Sequence, residues 1–481
     1  MTPPDGLERG VYANRTLNLR SVQAIGYDMD YTLIHYRTDA WERTAFEHAT
    51  RVLAAGDYPV AGLAFEPDRY LQGLVIDLDL GNLVKATRFG YVIQAQHGTR
   101  QLSFDELRTT YNGVTVDLNN PRFRFMNTLF TISESALYAQ FVDRLDDGTI
   151  PGPLGYDELY RIVSAALDES HTTGALKAEI VADPDRFCDV DPSTAQTLID
   201  QRLAGKRLLL ITNSDWSYTK AMMSYAFDRH VPSGSWRDLF DFVVVAAAKP
   251  RFFSEVEPVF RVVDAERGLL QPHWGPLKTG EVYHGGCARQ VEQSLGLTGA
   301  EILYVGDHLF GDVHVTKSAL RWRTALIMRE LEAEIEAAQA FAADEASLRR
   351  LMAEKAVLED RLAQARMALL RPGDPAATGP AGSGPSRGSR EAVESLREAL
   401  RALDERVAPL ARAAAELGNP TWGPMMRAGN DKSLFARQVE KYADIYTSRV
   451  ANLGQRTPFA FLRAARTSLP HDLMPREIAP E

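Results

Sequence analysis

Four short stretches of the chain are apolar almost without interruption and then stop at polar residues: VQAIGYD (22–28), RLLLITN (207–213), DFVVVAAAK (241–249) and EILYVGD (301–307). Unbroken apolar character, rather than alternation, predicts strands buried on both faces, as in a doubly wound parallel sheet. The segments between the later strands carry helical periodicity, for example SYTKAMMSYAFD (217–228) and CARQVEQSLGL (287–297). Strand, helix, strand is the right-handed crossover pattern. Such sheets bind ligands at the carboxyl ends of their strands.

The interval from 37 to 205 is too long for a loop. It holds strand-like GLVIDLDLGNLVKATRFGYVIQAQ (73–96), with a turn at RFG, and helix-like SESALYAQFVDRL (133–145) and GYDELYRIVSAALDESH (155–171). An inserted α+β domain over the strand ends is expected. Residues 329–370 and 389–416 are rich in Ala, Glu, Leu and Arg with helical spacing and predict a helical hairpin. Between them RPGDPAATGPAGSGPSRG (371–388) has the composition of a disordered linker. The hairpin reads first as a solvated appendage, and second as a regulatory or oligomerising arm. The remainder, 419–481, mixes aromatics with a helical pattern and is expected to pack back on the core. The predicted fold is therefore a three-layer, Rossmann-like α/β core formed by 1–36 and 206–328. A cap (37–205) is inserted after the first core strand, and a helical extension follows.

Length changes this picture little, since 481 residues already imply two or three domains. The net charge of −10 argues against a nucleic-acid partner. Two cysteines, Cys188 and Cys287, are too few for a disulfide framework or a cysteine zinc site. The first twenty residues lack the apolar stretch of a secretory signal. No run of about 18 apolar residues suggests a membrane span. A cytoplasmic protein is expected.

The chemistry lies at the strand ends. Asp28 and Asp30 stand one residue apart at the end of the first strand. Two neighbouring carboxylates repel unless a cation intervenes, and Mg²⁺ prefers such oxygen ligands. Taken alone, this pair reads as a solvated loop. The second strand ends in Thr212, Asn213 and Ser214 just before a helix, a natural phosphate cradle or an ordinary helix cap by Ser214 or Asp215. Lys249 follows a run of small and apolar residues and is expected to reach the cleft; its alternative is a surface lysine. In VGDHLFGD, Asp307 can complete a metal shell and Asp312 can hold a neighbouring ligand or lysine.

D-x-D-x-T, a hydroxyl, a lysine and G-D-x(4)-D, in that order, resemble the signature of the haloacid-dehalogenase-like phosphohydrolases. YDMDYTL, GLVIDLDLGNLVK, NTLF, ITNSDWSYT, KPRFF, ILYVGDHLFGDV and SLFARQVEKYADIY further resemble the cytosolic purine 5′-nucleotidases, which favour IMP and GMP. The resemblance implies that Asp28 forms an aspartyl-phosphate and that Asp30 is the general acid and base. It implies that Thr212 and Lys249 bind the transferring oxygens. Mg²⁺ would lie between Asp28, Asp307 and the Asp30 backbone carbonyl.

The family's nucleotide-binding acid and lysine, nine residues apart, match Asp168 and Lys177. Its base-reading arginine is replaced by Ser164, with Arg161 one turn away. Phe310, Gln438 and Tyr442 match positions near the family's effector site, where Lys441 replaces an arginine. The expected substrate is a purine nucleoside 5′-monophosphate. The alternatives are another small phosphomonoester, such as a sugar phosphate, or an interaction protein with a dormant site. Homo-oligomerisation and a nucleotide effector are left open.

Overall fold

The structure is a computed structural model. It describes residues 6–465 except 151, 173, 233 and 371–389. The predicted linker falls in the last of these gaps and lies outside the described residues.

The core is a ten-stranded sheet. Its strands are β1 (Val11–Ala13), β2 (Ala24–Tyr27), β3 (Arg207–Ile211), β4 (Phe242–Val245), β5 (Val259–Asp264), β6 (Leu269–Pro272), β7 (Glu281–Gly285), β8 (Ile302–Gly306), β9 (Arg323–Ile327) and β10 (Ile445–Thr447). They lie in the order β1-β10-β9-β8-β2-β3-β4-β7-β5-β6. The seven from β10 to β7 run parallel, and β1, β5 and β6 add antiparallel pairs at the two edges.

The apolar runs predicted from the sequence are the four central neighbours, β8, β2, β3 and β4. Burial on both faces explains their composition. In β3, Leu208 and Leu210 join one core with Leu198 and Met222, while Leu209 and Ile211 join another with Ala288 and Val291. The sheet is thus covered by helices on both sides, three layers in all. Gly26 is required in β2, because a Cβ there would come 2.9 Å from the Tyr304 ring of β8.

One strand is shorter than its composition suggests. The small residues after Val245 leave the sheet, because Ala246 and Ala248 take left-handed backbone with φ of 48° and 56°. That turn carries Lys249.

The insert leaves and returns through one seam. His35–Tyr36 pairs antiparallel with Cys188–Asp189. Beyond it lies a five-stranded antiparallel sheet, including Val75–Asp77, Asn82–Ala86 and Val92–His97, packed with helices Thr38–Ala55, Ile132–Asp146 and Tyr156–Thr172. Helix Pro192–Leu203 falls within the 37–205 interval expected to form the insert, but it packs on the core. Its Gln201 accepts a hydrogen bond from Tyr27 at 2.7 Å, and its Thr197 donates to the Ala451 carbonyl at 3.4 Å.

Helices Ala342–Leu370 and Arg390–Ala415 pair as a hairpin around Leu351, Leu403 and Val407, with Lys355 on Asp404 at 2.6 Å. The C-terminal segment does more than pack on the core. It inserts β10 into the sheet and also reaches the cap, where Lys85 donates to the carbonyls of Trp422 and, at 2.8 Å, Pro424.

Candidate active site

The carboxyl ends of β2, β3, β4 and β8 meet at one place. Asp28 directly follows β2, and its N–H donates to the Val305 carbonyl at 2.9 Å, so the sheet ladder itself sets its position. The chain then folds tightly on the Met29 carbonyl, which accepts from Leu33 and Ile34 at 2.9 and 3.0 Å. Tyr31 takes φ of 53° in this turn, an uncommon conformation for an aromatic residue and one that clusters at functional sites.

The β3 loop and the lysine turn are stitched together. Ala247 N donates to the Thr212 carbonyl at 3.0 Å. The Asn213 amide accepts from the Lys249 N–H at 2.7 Å and donates to its carbonyl at 3.1 Å, so this side chain holds the lysine turn. Thr212 accepts from Ser214 N at 3.0 Å, and Asp215, rather than Ser214, caps the following helix, accepting from Tyr218 N at 3.0 Å.

Lys249 is almost fully buried. Its Nζ lies 2.7 Å from Asp28 and 2.8 Å from Asp312, and donates to the Tyr304 hydroxyl at 3.1 Å. Burial alone would lower its pKa; Asp28 and Asp312 outweigh that and hold it well above the ordinary lysine value. Asp312 also accepts from the His308 N–H at 3.1 Å, in a π-helical turn over Leu309–His314.

Asp28, Asp307 and Asp312 place carboxylate oxygens within 4.8 Å of one another, all buried. Burial pushes Asp28 up to about 7, against the pull of Lys249. Burial, with the charges of Asp28 and Asp312, also pushes Asp307 well above the carboxylate range. Three carboxylates facing one lysine leave an excess of negative charge in a dry place. All donors are oxygens, which fits a hard divalent cation.

Asp30 lies to one side of this cluster. Its two oxygens accept from Tyr36 at 2.6 Å and Ser214 at 2.7 Å. Lys177 of the cap reaches the same loop, with Nζ 3.4 Å from Ser214 Oγ and 3.8 Å from Asp215. Asp168 is an exposed residue of helix Tyr156–Thr172, and partial desolvation raises its pKa. Beside it, Ser164 and Tyr160 hydrogen-bond the half-buried Glu134.

The core site is thus assembled from the residues singled out in the sequence. Several others take part: Thr32 and Thr128 donate to Asp307 at 3.3 and 3.4 Å, and Tyr304 links Lys249 to the Ile211 carbonyl. Thr32 is the last letter of D-x-D-x-T and Thr128 lies in NTLF, so both were visible as motif letters without a role. Phe310 and Tyr442 come together, 6.1 Å between ring centres, with His314 and Phe125 alongside.

Residues 11–474 match the model of the 5′ nucleotidase family. A 5′-nucleotidase domain-containing protein of Dictyostelium discoideum is 27% identical over 478 residues, covering 96% of this chain and 74% of that protein. The 5′-nucleotidase domain-containing protein 2 of Rattus norvegicus is 31% identical over 344 residues, 68% of this chain and 60% of its own length.

Among solved structures, an archaeal beta-phosphoglucomutase from a Pyrococcus strain aligns with a TM-score of 0.31 and 11% identity, over 64% of this chain and 86% of that one. A predicted phosphoglycolate phosphatase from Haemophilus somnus aligns at 0.28 and 14%, over 64% and 85%. With a match over nearly its whole length and the acids, lysine and hydroxyls of its motifs gathered at one sheet edge, the chain belongs to the 5′-nucleotidase family.

Proposed function

We propose that the protein hydrolyses nucleoside 5′-monophosphates, purine preferred, through an aspartyl-phosphate on Asp28 and with Mg²⁺ as its cation. The observation that carries this reading is the buried Asp28, held 2.7 Å from Lys249 beside Asp307 and Asp312. Asp28, Asp307 and the Asp30 carbonyl would hold the cation, with Asp312 fixing the lysine. When bound, it would neutralise charge on the phosphoryl group.

The residues divide the work. Lys249 and Thr212 bind phosphoryl oxygens and orient phosphorus towards Asp28. An Asp28 oxygen forms the new O–P bond, the bond from phosphorus to the ester oxygen breaks, and that oxygen takes the proton of Asp30. Asp30 then removes a proton from water as the water oxygen attacks phosphorus. The Asp28–phosphorus bond breaks, and alcohol and phosphate are released. Lys177 reaches the core loop from the cap and would touch the nucleotide. Asp168, with Glu134 and Ser164, would face the base.

A second reading keeps the chemistry and replaces the substrate by a small phosphomonoester such as a sugar phosphate. Ser164, engaged with Glu134 where the resembled family has an arginine, favours it. A panel of IMP, GMP, AMP, UMP, a hexose phosphate and p-nitrophenyl phosphate, followed by released phosphate, decides. The highest kcat/KM on a purine monophosphate is expected; higher values on the hexose phosphate would overturn the nucleotide assignment.

A further inference from the structure

We propose that Tyr36, backed by Tyr218, is a positioning residue that aims the Asp30 carboxyl and ties its aim to the cap seam. The inference rests on the reading of Asp30 as acid and base given above.

Both Asp30 oxygens are engaged, one by Tyr36 OH at 2.6 Å and the other by Ser214 Oγ at 2.7 Å. The Tyr36 hydroxyl is the donor in its pair with Asp30, so its single phenolic proton points at the carboxyl group. The Tyr218 hydroxyl lies 3.0 Å from that of Tyr36. With the Tyr36 proton already committed, Tyr218 is the donor of that pair. The direction of the chain is therefore fixed: Tyr218 to Tyr36 to Asp30.

The Tyr36 ring has little freedom. It is buried against Trp41 at 4.3 Å and Tyr31 at 5.2 Å between ring centres. Apolar packing explains the ring. It does not explain a hydroxyl buried in an aromatic cluster and aimed at the carboxylate beside the nucleophile.

The location adds the second half of the inference. Tyr36 pairs with Cys188 in the two-stranded seam through which the cap leaves and returns. Tyr218 lies in the core helix that starts at the phosphate loop, with Lys177 of the cap 5.0 Å above its ring. Ser214, the other donor to Asp30, is the partner of that same Lys177. Each oxygen of the acid is thus connected to the cap through one intermediate. A cap that shifts at its seam would turn the carboxyl.

The test uses substrates that differ in their need for an acid. A 5′-nucleotide leaves as an alkoxide and needs a proton, whereas p-nitrophenyl phosphate leaves as a stabilised phenolate. kcat/KM reports the steps up to departure of the leaving group. Tyr36→Phe keeps the ring and removes the hydroxyl. Its kcat/KM on the nucleotide is expected to fall roughly 10- to 100-fold, the range of one hydrogen bond to a charged group. On p-nitrophenyl phosphate the fall should be below about threefold, and competitive inhibition by inorganic phosphate should not change.

Tyr218→Phe should show the same selectivity more weakly, and it supplies the test if Tyr36→Phe does not fold. Equal losses on both substrates, or no loss on either, would overturn the proposal. Asp30→Asn separates the two readings. If it too lacks the selective loss, the acid assignment has failed; if it shows the loss and the tyrosine variants do not, only the positioning role has failed.

Discussion

Single residues of this site are held by charge that has nowhere else to go. Lys249 is the only cation that contacts Asp28 and Asp312 among the described residues, and its side chain is 4% exposed. Lys249→Met would strand buried carboxylates, a change that typically costs about 3–5 kcal/mol. Urea denaturation should show a loss of that order together with loss of phosphatase activity. Asp312→Asn should recover part of the stability of Lys249→Met and none of the activity.

Glu42 gives a separate test in pH. It is buried in helix Thr38–Ala55, with one oxygen accepting from Ser133 N at 2.9 Å, and burial raises its pKa from 4.5 to about 7. A folded-state pKa above the unfolded one means that the unfolded chain releases this proton first. Stability should therefore fall as pH rises from about 4.5 to 7 and level off above, by ~3 kcal/mol at most. Glu42→Gln should remove this contribution, so thermal melts of variant and wild type should diverge towards pH 8, with the variant the more stable. A constant difference between pH 5 and 8 would show that Glu42 is not buried as a neutral acid.

At the scale of elements, two parts have their own physics. Gly26 lets β2 and β8 approach, and Gly26→Ala would press on Tyr304, whose hydroxyl links Lys249 to the Ile211 carbonyl. Overpacking of this kind costs about 1–3 kcal/mol. Because the pressure falls on the ring behind the lysine, kcat should drop as well; full turnover at reduced stability would show that Tyr304 moves without disturbing Lys249.

The helical hairpin has a small core of its own around Leu351, Leu403 and Val407, separate from those of the sheet and cap. Leu403→Ala should cost the hairpin about 2–4 kcal/mol. Amide exchange in 342–370 and 390–415 should then rise, while the main melting transition and activity stay put. A matching fall in the main transition would show that the arm folds with the body.

At the scale of the whole molecule, the proposed function divides catalysis and selection between different parts. The proposed nucleophile, Asp28, and Lys249 belong to the core sheet, whereas Lys177 and Asp168 come from the insert. Lys177→Ala and Asp168→Ala should raise KM for a purine monophosphate by the equivalent of about 1–3 kcal/mol. Turnover of p-nitrophenyl phosphate, which carries no base, should hardly change. Equal effects on both substrates would give the small-phosphomonoester reading the lead. Removal of divalent cations should abolish both activities, with Mg²⁺ restoring them and Ca²⁺ doing so poorly, because Ca²⁺ is larger and accepts looser geometry.

The sequence determined the central sheet and which polar residues stand at its edge, because both are written locally. A strand buried on both faces must be apolar throughout, so 24–27, 207–211, 242–245 and 302–306 stand out, and Asp28, Thr212 and Asp307 follow their strands by one residue. The edge strands were not legible: β5 is only partly buried, β6 is exposed throughout, and β10 is three residues long and lies over a hundred positions from its neighbour β9.

Only the tertiary structure decided which side chains meet. Tyr36, Tyr218 and Tyr304 look like ordinary core residues in the sequence, and Thr128 is a motif letter without a role. Their hydroxyls acquire partners through contacts between segments up to about 180 residues apart. It also decided that Asn213 holds the lysine turn, that Asp30 is held by the cap seam, and that helix 192–203 belongs to the sheet rather than to the insert. Periodicity reports which face of an element is buried; which partner lies across that face is set by the packing of the whole chain.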